Sequence, residues 1–170
     1  MIDAREKEKE EKTKGKTATE TDQMLIEFWK LLKINLSEHY FHNLDNVTPS
    51  ASFSYGFLKG RGRFAFVFGR YTSRVELYFG DDEDKKLFDA MLMYKNELES
   101  QFDSVITWER LDNKKASRIK MEMPINEYKE SGYLKERNWE PKIEWFRESM
   151  IQFYKVVYPI WEKVQSSSRR

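Results

Sequence analysis

Between residues 51 and 79 the chain alternates apolar and polar side chains with a period of two, three times over. Phe53, Tyr55 and Phe57 alternate with Ser52, Ser54 and Gly56; Phe64, Phe66 and Phe68 with Arg63, Ala65 and Val67; Val75, Leu77 and Phe79 with Arg74, Glu76 and Tyr78. A repeat of two puts successive side chains on opposite faces of a strand. The joins, Gly60-Arg61-Gly62 and residues 69–73, are too short for a crossover, so consecutive strands must run antiparallel. Such a meander has one apolar face, and other elements must cover it.

The rest of the chain supplies the cover. Leu25, Phe28, Trp29, Leu32 and Leu36 recur at helical spacing and predict a helix over 21–36, with Thr21 or Asp22 as its cap. Asp81, Asp82, Glu83 and Asp84 open a second helix, where carboxylates meet the positive end of the helix dipole. Its stripe of Leu87, Phe88, Met91, Leu92, Leu98 and Phe102 predicts one helix lasting to about residue 102. Period two returns over 105–111 and 116–123, around a turn at Asp112-Asn113-Lys114-Lys115; Trp108 is expected to face the core. A short helix is expected around 127–134. From Pro141, Ile143, Phe146, Met150, Phe153, Val157 and Ile160 form one continuous helical stripe, which Pro159 is expected to kink or end near Tyr158.

The expected fold class is α+β, a mostly antiparallel sheet of about five strands with helices packed on one face. Residues 1–20, where cations and carboxylates interleave with almost no apolar side chains, are expected to be a charged disordered tail. Residues 21–164 are expected to form a single domain, and 165–170 a frayed tail.

Composition removes several chemistries. The 170 residues contain no Cys, so disulfides, thiolate metal sites and Cys nucleophiles are excluded. The two His residues, His39 and His42, sit three apart in a polar stretch and fall short of the three or four ligands a zinc centre needs. No metal or cofactor is expected. No apolar run approaches the ~20 residues that span a bilayer, and the charged N-terminus has no signal-like apolar core. A cytoplasmic protein without membrane contact is expected. With 12 Phe, 9 Tyr and 5 Trp the chain has the aromatic bulk to form a core despite its 35% charged residues.

No catalytic constellation emerges. Gly60-Arg61-Gly62 joins two strands rather than a strand and a helix, and no Gly-Lys-Ser/Thr follows it, so it reads as a turn. A restriction-type nuclease needs Glu-x-Lys beside a second carboxylate to hold Mg²⁺ and assist water. Glu76, Glu109 and Glu122 are followed two residues on by Tyr78, Leu111 and Pro124, and Glu97 by Glu99. No catalytic residue is assigned.

Charge distribution says more than charge total. Residues 50–80 carry five cations against Glu76 alone, and residues 110–120 carry five against Asp112 alone, each net +4. The stretch between, 81–109, has three cations and nine carboxylates, net −6. If both β segments share one sheet, Arg63, Arg74, Arg118 and Lys120 fall on its polar face, with Tyr78 available to stack, and nucleic acid becomes the candidate partner. The same residues would also serve as a solvated face making cross-strand pairs with Glu76 and Glu122. A second candidate surface is the C-terminal helix, where Tyr154, Tyr158 and Trp161 flank the main stripe and could hold a protein partner or a second copy of the chain.

Residues 108–119 read WERLDNKKASRI. Together with FWKLL at 28–32, RVELY at 74–78, KNELE at 95–99 and the aromatic helix around Glu144-Trp145, this segment resembles the prokaryotic family catalogued as domain of unknown function 4268. The likeness extends over about residues 24–161. In longer relatives a similar domain follows a nuclease-like domain of the restriction-endonuclease type. The resemblance therefore implies an accessory role in DNA metabolism or defence, and it brings no catalytic residues. The expectation is a non-catalytic accessory module binding nucleic acid through the basic sheet face, the alternative being a protein-interaction or dimerisation module built on the C-terminal helix.

Overall fold

The structure, a computed structural model, describes residues 19–36, 46–54, 62–126 and 133–168. Most of the charged N-terminal segment, His39 and His42, Gly60 and Arg61, and most of the helix expected around 127–134 lie outside the described residues. Five strands form one antiparallel sheet: β1 (Ser52–Ser54), β2 (Gly62–Phe68), β3 (Ser73–Phe79), β4 (Thr107–Glu109) and β5 (Ser117–Glu122), in the order β1-β2-β3-β5-β4. The α-helices are α1 (Glu20–Leu36), α2 (Lys86–Leu92), α3 (Lys95–Glu99) and α4 (Glu140–Ser168), with a 3-10 turn at Leu134–Glu136. This is the α+β arrangement that the change of period from 3.6 to 2 and back foretells.

Register decides which side chains share a face. Phe64, Leu77, Ile119 and Trp108 are successive cross-strand partners, as are Phe53, Phe66, Val75 and Met121. These rows face the helices. Phe66 and Phe68 meet Phe146 of α4, and Phe28 of α1 meets both Phe68 and Phe146, mostly edge to face. Trp108 lies on the core side as expected, half-buried, its ring edge-on to Phe88 and its Nε1 donating to Glu99 at 2.9 Å.

Three local expectations give way to side-chain chemistry. The cap of α1 is Thr19, not Thr21: its hydroxyl accepts the Asp22 amide at 3.1 Å, while Asp22 accepts the Thr19 amide at 3.0 Å, a reciprocal capping box. The single helix expected to run to residue 102 is two. The Tyr94 amide bonds the Met91 carbonyl three residues back instead of four, which interrupts the α-helical repeat. The proline neither ends nor truncates α4, which continues through Pro159 to Ser168. Ile160, Trp161 and Val164 beyond it are buried, so core packing offsets the lost backbone hydrogen bond.

Trp161 fixes how closely α4 approaches the sheet. Its indole packs on Phe79 with ring centroids 5.1 Å apart and sits directly over Gly62, where an added Cβ would lie 2.5 Å from the ring. Glycine at the start of β2 is what makes room for it.

Candidate functional site

The register brings all four nominated cations to one face, opposite the core. Arg63, Tyr78, Arg118 and Glu109 form one cross-strand row; Ala65, Glu76, Lys120 and Thr107 the next; Val67, Arg74 and Glu122 the third. The face therefore holds four cations and three carboxylates, a net charge of +1.

Proximity has turned these charges toward one another. Arg74 Nε donates to Glu76 at 3.1 Å, with both residues almost fully buried, 6% and 4% exposed. Arg118 lies 3.6 Å from Glu76 and 3.7 Å from Glu109, with its guanidinium over the Tyr78 ring. Lys120 lies 3.0 Å from Glu109 and 2.6 Å from Glu122. Side-chain exposure is only 18% for Arg118 and 15% for Lys120. A phosphate reaching these groups would have to displace a carboxylate and repeat the desolvation already met by the pair. Arg63 alone among the four is exposed. The charges thus form a network partly along strands, Arg74–Glu76 and Lys120–Glu122, and partly between them, Arg118 with Glu76 and Glu109 and Lys120 with Glu109.

The nominated C-terminal surface divides. Trp161, 1% exposed and wedged between Phe79 and Gly62, belongs to the core and cannot reach a partner; its nomination as an interface residue is corrected. Sequence spacing placed it beside the main stripe, but the close approach that Gly62 permits rotates that flank onto the sheet. Tyr154 and Tyr158 are half-buried and stack on each other with centroids 4.8 Å apart, over the edge of Phe64. Burial, reinforced by Tyr158 and Glu162, pushes the Tyr154 phenol up to about 12, so it stays a neutral hydroxyl at physiological pH.

The segment 108–119 also has a physical role. Leu111 takes a left-handed backbone with φ 54°, ending β4, and Arg110 reaches back to α2, where its Nε and Nη2 each donate to Asp89 at 3.0 Å while Nη1 meets Asp112. These hydrogen bonds hold the Asp89 carboxyl below its ordinary range. Deeper in, Asp82 is fully buried and accepts from the Leu87 amide at 3.1 Å, the Phe88 amide at 3.0 Å and the Ser117 hydroxyl at 3.0 Å. Of the four acidic residues thought to open the helix, it is the one that caps α2 from inside. Lys85, with φ 61°, turns its ammonium inward to the Lys114 carbonyl at 2.7 Å, the Ala116 carbonyl at 2.8 Å and the Ser117 hydroxyl at 3.3 Å. Ser117 therefore bridges a buried anion and a buried cation, and KKAS acts as the socket in which α2 is locked.

Like Lys85, another buried lysine carries no obvious signature in the sequence. Lys142, in the first turn of α4, is 0% exposed; its Nζ lies 4.2 Å from the Phe68 ring centre and donates to Ser73 Oγ at 3.1 Å. Burial pushes its amine down to about 7. The signal was its spacing, four residues before Phe146 and so on the apolar stripe.

Among the described residues no group of three or more His, Asp or Glu could hold a metal ion, and no helix is long and apolar enough to cross a membrane. A family model described as Domain of unknown function (DUF4268) matches residues 25–161. No curated protein and no solved structure matches the chain.

Proposed function

The chain belongs to the DUF4268 family, and within it we propose that this domain is a non-catalytic accessory module that works by protein association rather than by gripping phosphates. One observation carries this reading: Arg74, Arg118 and Lys120, which a phosphate surface would need, are engaged by Glu76, Glu109 and Glu122. Polyanion binding depends on cations that can exchange small counterions for phosphate, and carboxylate-bound cations do this poorly. The flank of α4 bearing Tyr154 and Tyr158 suits association better. A stacked tyrosine pair offers stiff apolar area with hydroxyls at its rim, the chemistry enriched at protein interfaces. A partner acting in DNA metabolism or defence, such as a separate nuclease subunit, agrees with the role the family resemblance implies.

Sedimentation equilibrium of the full chain, with labelled duplex DNA titrated in parallel, tests this. The expected result is concentration-dependent self-association or binding to a purified nuclease partner that is lost in Tyr154→Ser/Tyr158→Ser, with duplex binding negligible at physiological salt. Duplex binding whose steep salt dependence flattens in Arg63→Ala/Lys120→Ala would overturn the reading and restore nucleic acid as the ligand.

A further inference from the structure

The break between α2 and α3 leaves apolar side chains in water. A continuous helix would carry Leu92 inward with Leu87, Phe88 and Met91; instead Leu92 is 38% exposed, and Met93, just past the end of α2, is 87% exposed. Val105, which leads into β4, is 80% exposed. Met93 and Val105 are the most exposed large apolar side chains among the described residues. The contacts of α2 bring the three together. Lys85 reaches the Lys114 and Ala116 carbonyls, Asp89 accepts from Arg110, and Phe88 lies edge-on to Trp108, so α2 runs past residues 117–108 against their sequence direction. Its last turn, with Leu92 and Met93 behind it, therefore arrives beside the residues that enter β4. Apolar side chains scattered singly over a surface mean little, whereas a contiguous group marks a contact surface.

The surroundings of this group carry one sign. Residues 81–109 expose six carboxylates and two lysines. Arg110 answers Asp89, and Lys86 answers Asp84. Glu97, one turn on from Met93, and Asp103, two residues before Val105, are both exposed and have no ion-pair partner among the described residues. Such a field repels phosphates and anionic lipids and draws in cations. The neighbouring edge strand β4 is only three residues long, which gives an incoming strand little ladder to join. A helix suits the site better, because one face can carry an apolar stripe with cations along its borders.

We propose that Leu92, Met93 and Val105 form a docking surface for a cationic amphipathic helix of a partner protein. The apolar stripe of that helix covers the three side chains, and its lysines or arginines face Glu97 and Asp103. Met93, unbranched and with three rotatable bonds, adapts its shape to the stripe it meets. The site uses none of the α4 side chains assigned to association above, so the two proposals stand or fall separately.

Fluorescence anisotropy with the full chain tests this. The probe is a labelled peptide of about 18 residues with Leu and Lys at helical spacing, and its Leu/Glu counterpart is the control. The Lys peptide should bind saturably, one per chain, and the Glu peptide should not bind. Met93→Ser/Val105→Ser removes apolar area without changing charge and should weaken binding about tenfold. Glu97→Gln/Asp103→Asn should weaken binding and flatten its salt dependence, whereas Tyr154→Ser/Tyr158→Ser should bind as wild type does. In the unsubstituted protein the Met93 methyl resonance should move during the titration while those of the buried Met91 and Met150 stay in place. Absence of binding, or binding indifferent to Met93→Ser/Val105→Ser, would overturn the proposal. So would self-association of the chain that these two substitutions abolish, since the occupant would then be a second copy.

Discussion

Among the described residues two lysines are buried, Lys85 and Lys142, and their surroundings differ. Lys85 enters through a left-handed backbone turn and meets two carbonyls and a hydroxyl, with the Asp82 carboxylate on the far side of that hydroxyl. Its three protons have three acceptors, which is the condition for keeping an ammonium away from water. Lys142 has the Phe68 ring and the Ser73 hydroxyl among its neighbours, and burial lowers its amine to about 7. Lys85 fastens the start of α2 to the segment leading into β5, and Lys142 fastens the start of α4 to β3.

The largest test of that contrast is Asp82→Ala. It strips the cap from two amides of α2 and removes the anion opposite Lys85, and should destabilise the domain by about 3 kcal/mol in chemical denaturation. An effect below about 1 kcal/mol would mean that the lock contributes little. Next, Ser117 and Ser73, both fully buried, can be compared directly. Ser117→Ala should cost about 2 kcal/mol, because the hydroxyl serves both a carboxylate and an ammonium. Ser73→Ala should cost about 1 kcal/mol, because it serves one amine. Reversal of that order would break the comparison. Smallest is Arg110→Ala: although its guanidinium bonds both Asp89 and Asp112, all three groups face solvent, and the unfolding midpoint should not move beyond repeat scatter.

Acid tests the surface pair beside this lock. The carboxyl of Asp89 is held below its usual range by Arg110, so whatever stability it contributes is present above the unfolded carboxyl pKa and is lost as pH falls through the lower folded value. Because this pair faces solvent the contribution is small, and the acid limb of the unfolding midpoint in Arg110→Ala should overlie that of wild type within repeat scatter.

Much of the architecture was legible because it rests on periodicity. The alternating runs of β2 and β3 and the stripe of α4 appear in the sequence as they do in the fold, and so does the sharing of one sheet face by Arg63, Arg74, Arg118 and Lys120; of the first run, Ser52–Ser54 is a strand and Tyr55 and Phe57 lie outside the described residues. What periodicity does not encode is the neighbour across a long gap. Inserting β5 between β3 and β4 brings Arg118 to Glu76 and Glu109 and Lys120 to Glu109, while Arg74–Glu76 and Lys120–Glu122 pair along their own strands, and together these contacts occupy an apparent cationic surface. Trp161 was misplaced for a related reason. Its depth depends on the absence of a side chain at Gly62, almost a hundred residues away. Asp82 hid among four acidic residues that local reasoning treats alike, although only one has both oxygens aimed at the amides of α2.

Pro159 bears on where the folded unit can be cut. A proline inside an apparent helix invites a boundary, yet the turns after it carry Ile160, Trp161 and Val164 into the interior. A truncation at Tyr158 would remove three wall residues and open a void above Gly62 large enough for an indole, exposing Phe79 to water. Trimming the protein at that point should yield a sticky, loosely packed fragment, whereas one ending after Val164 should keep its interior sealed.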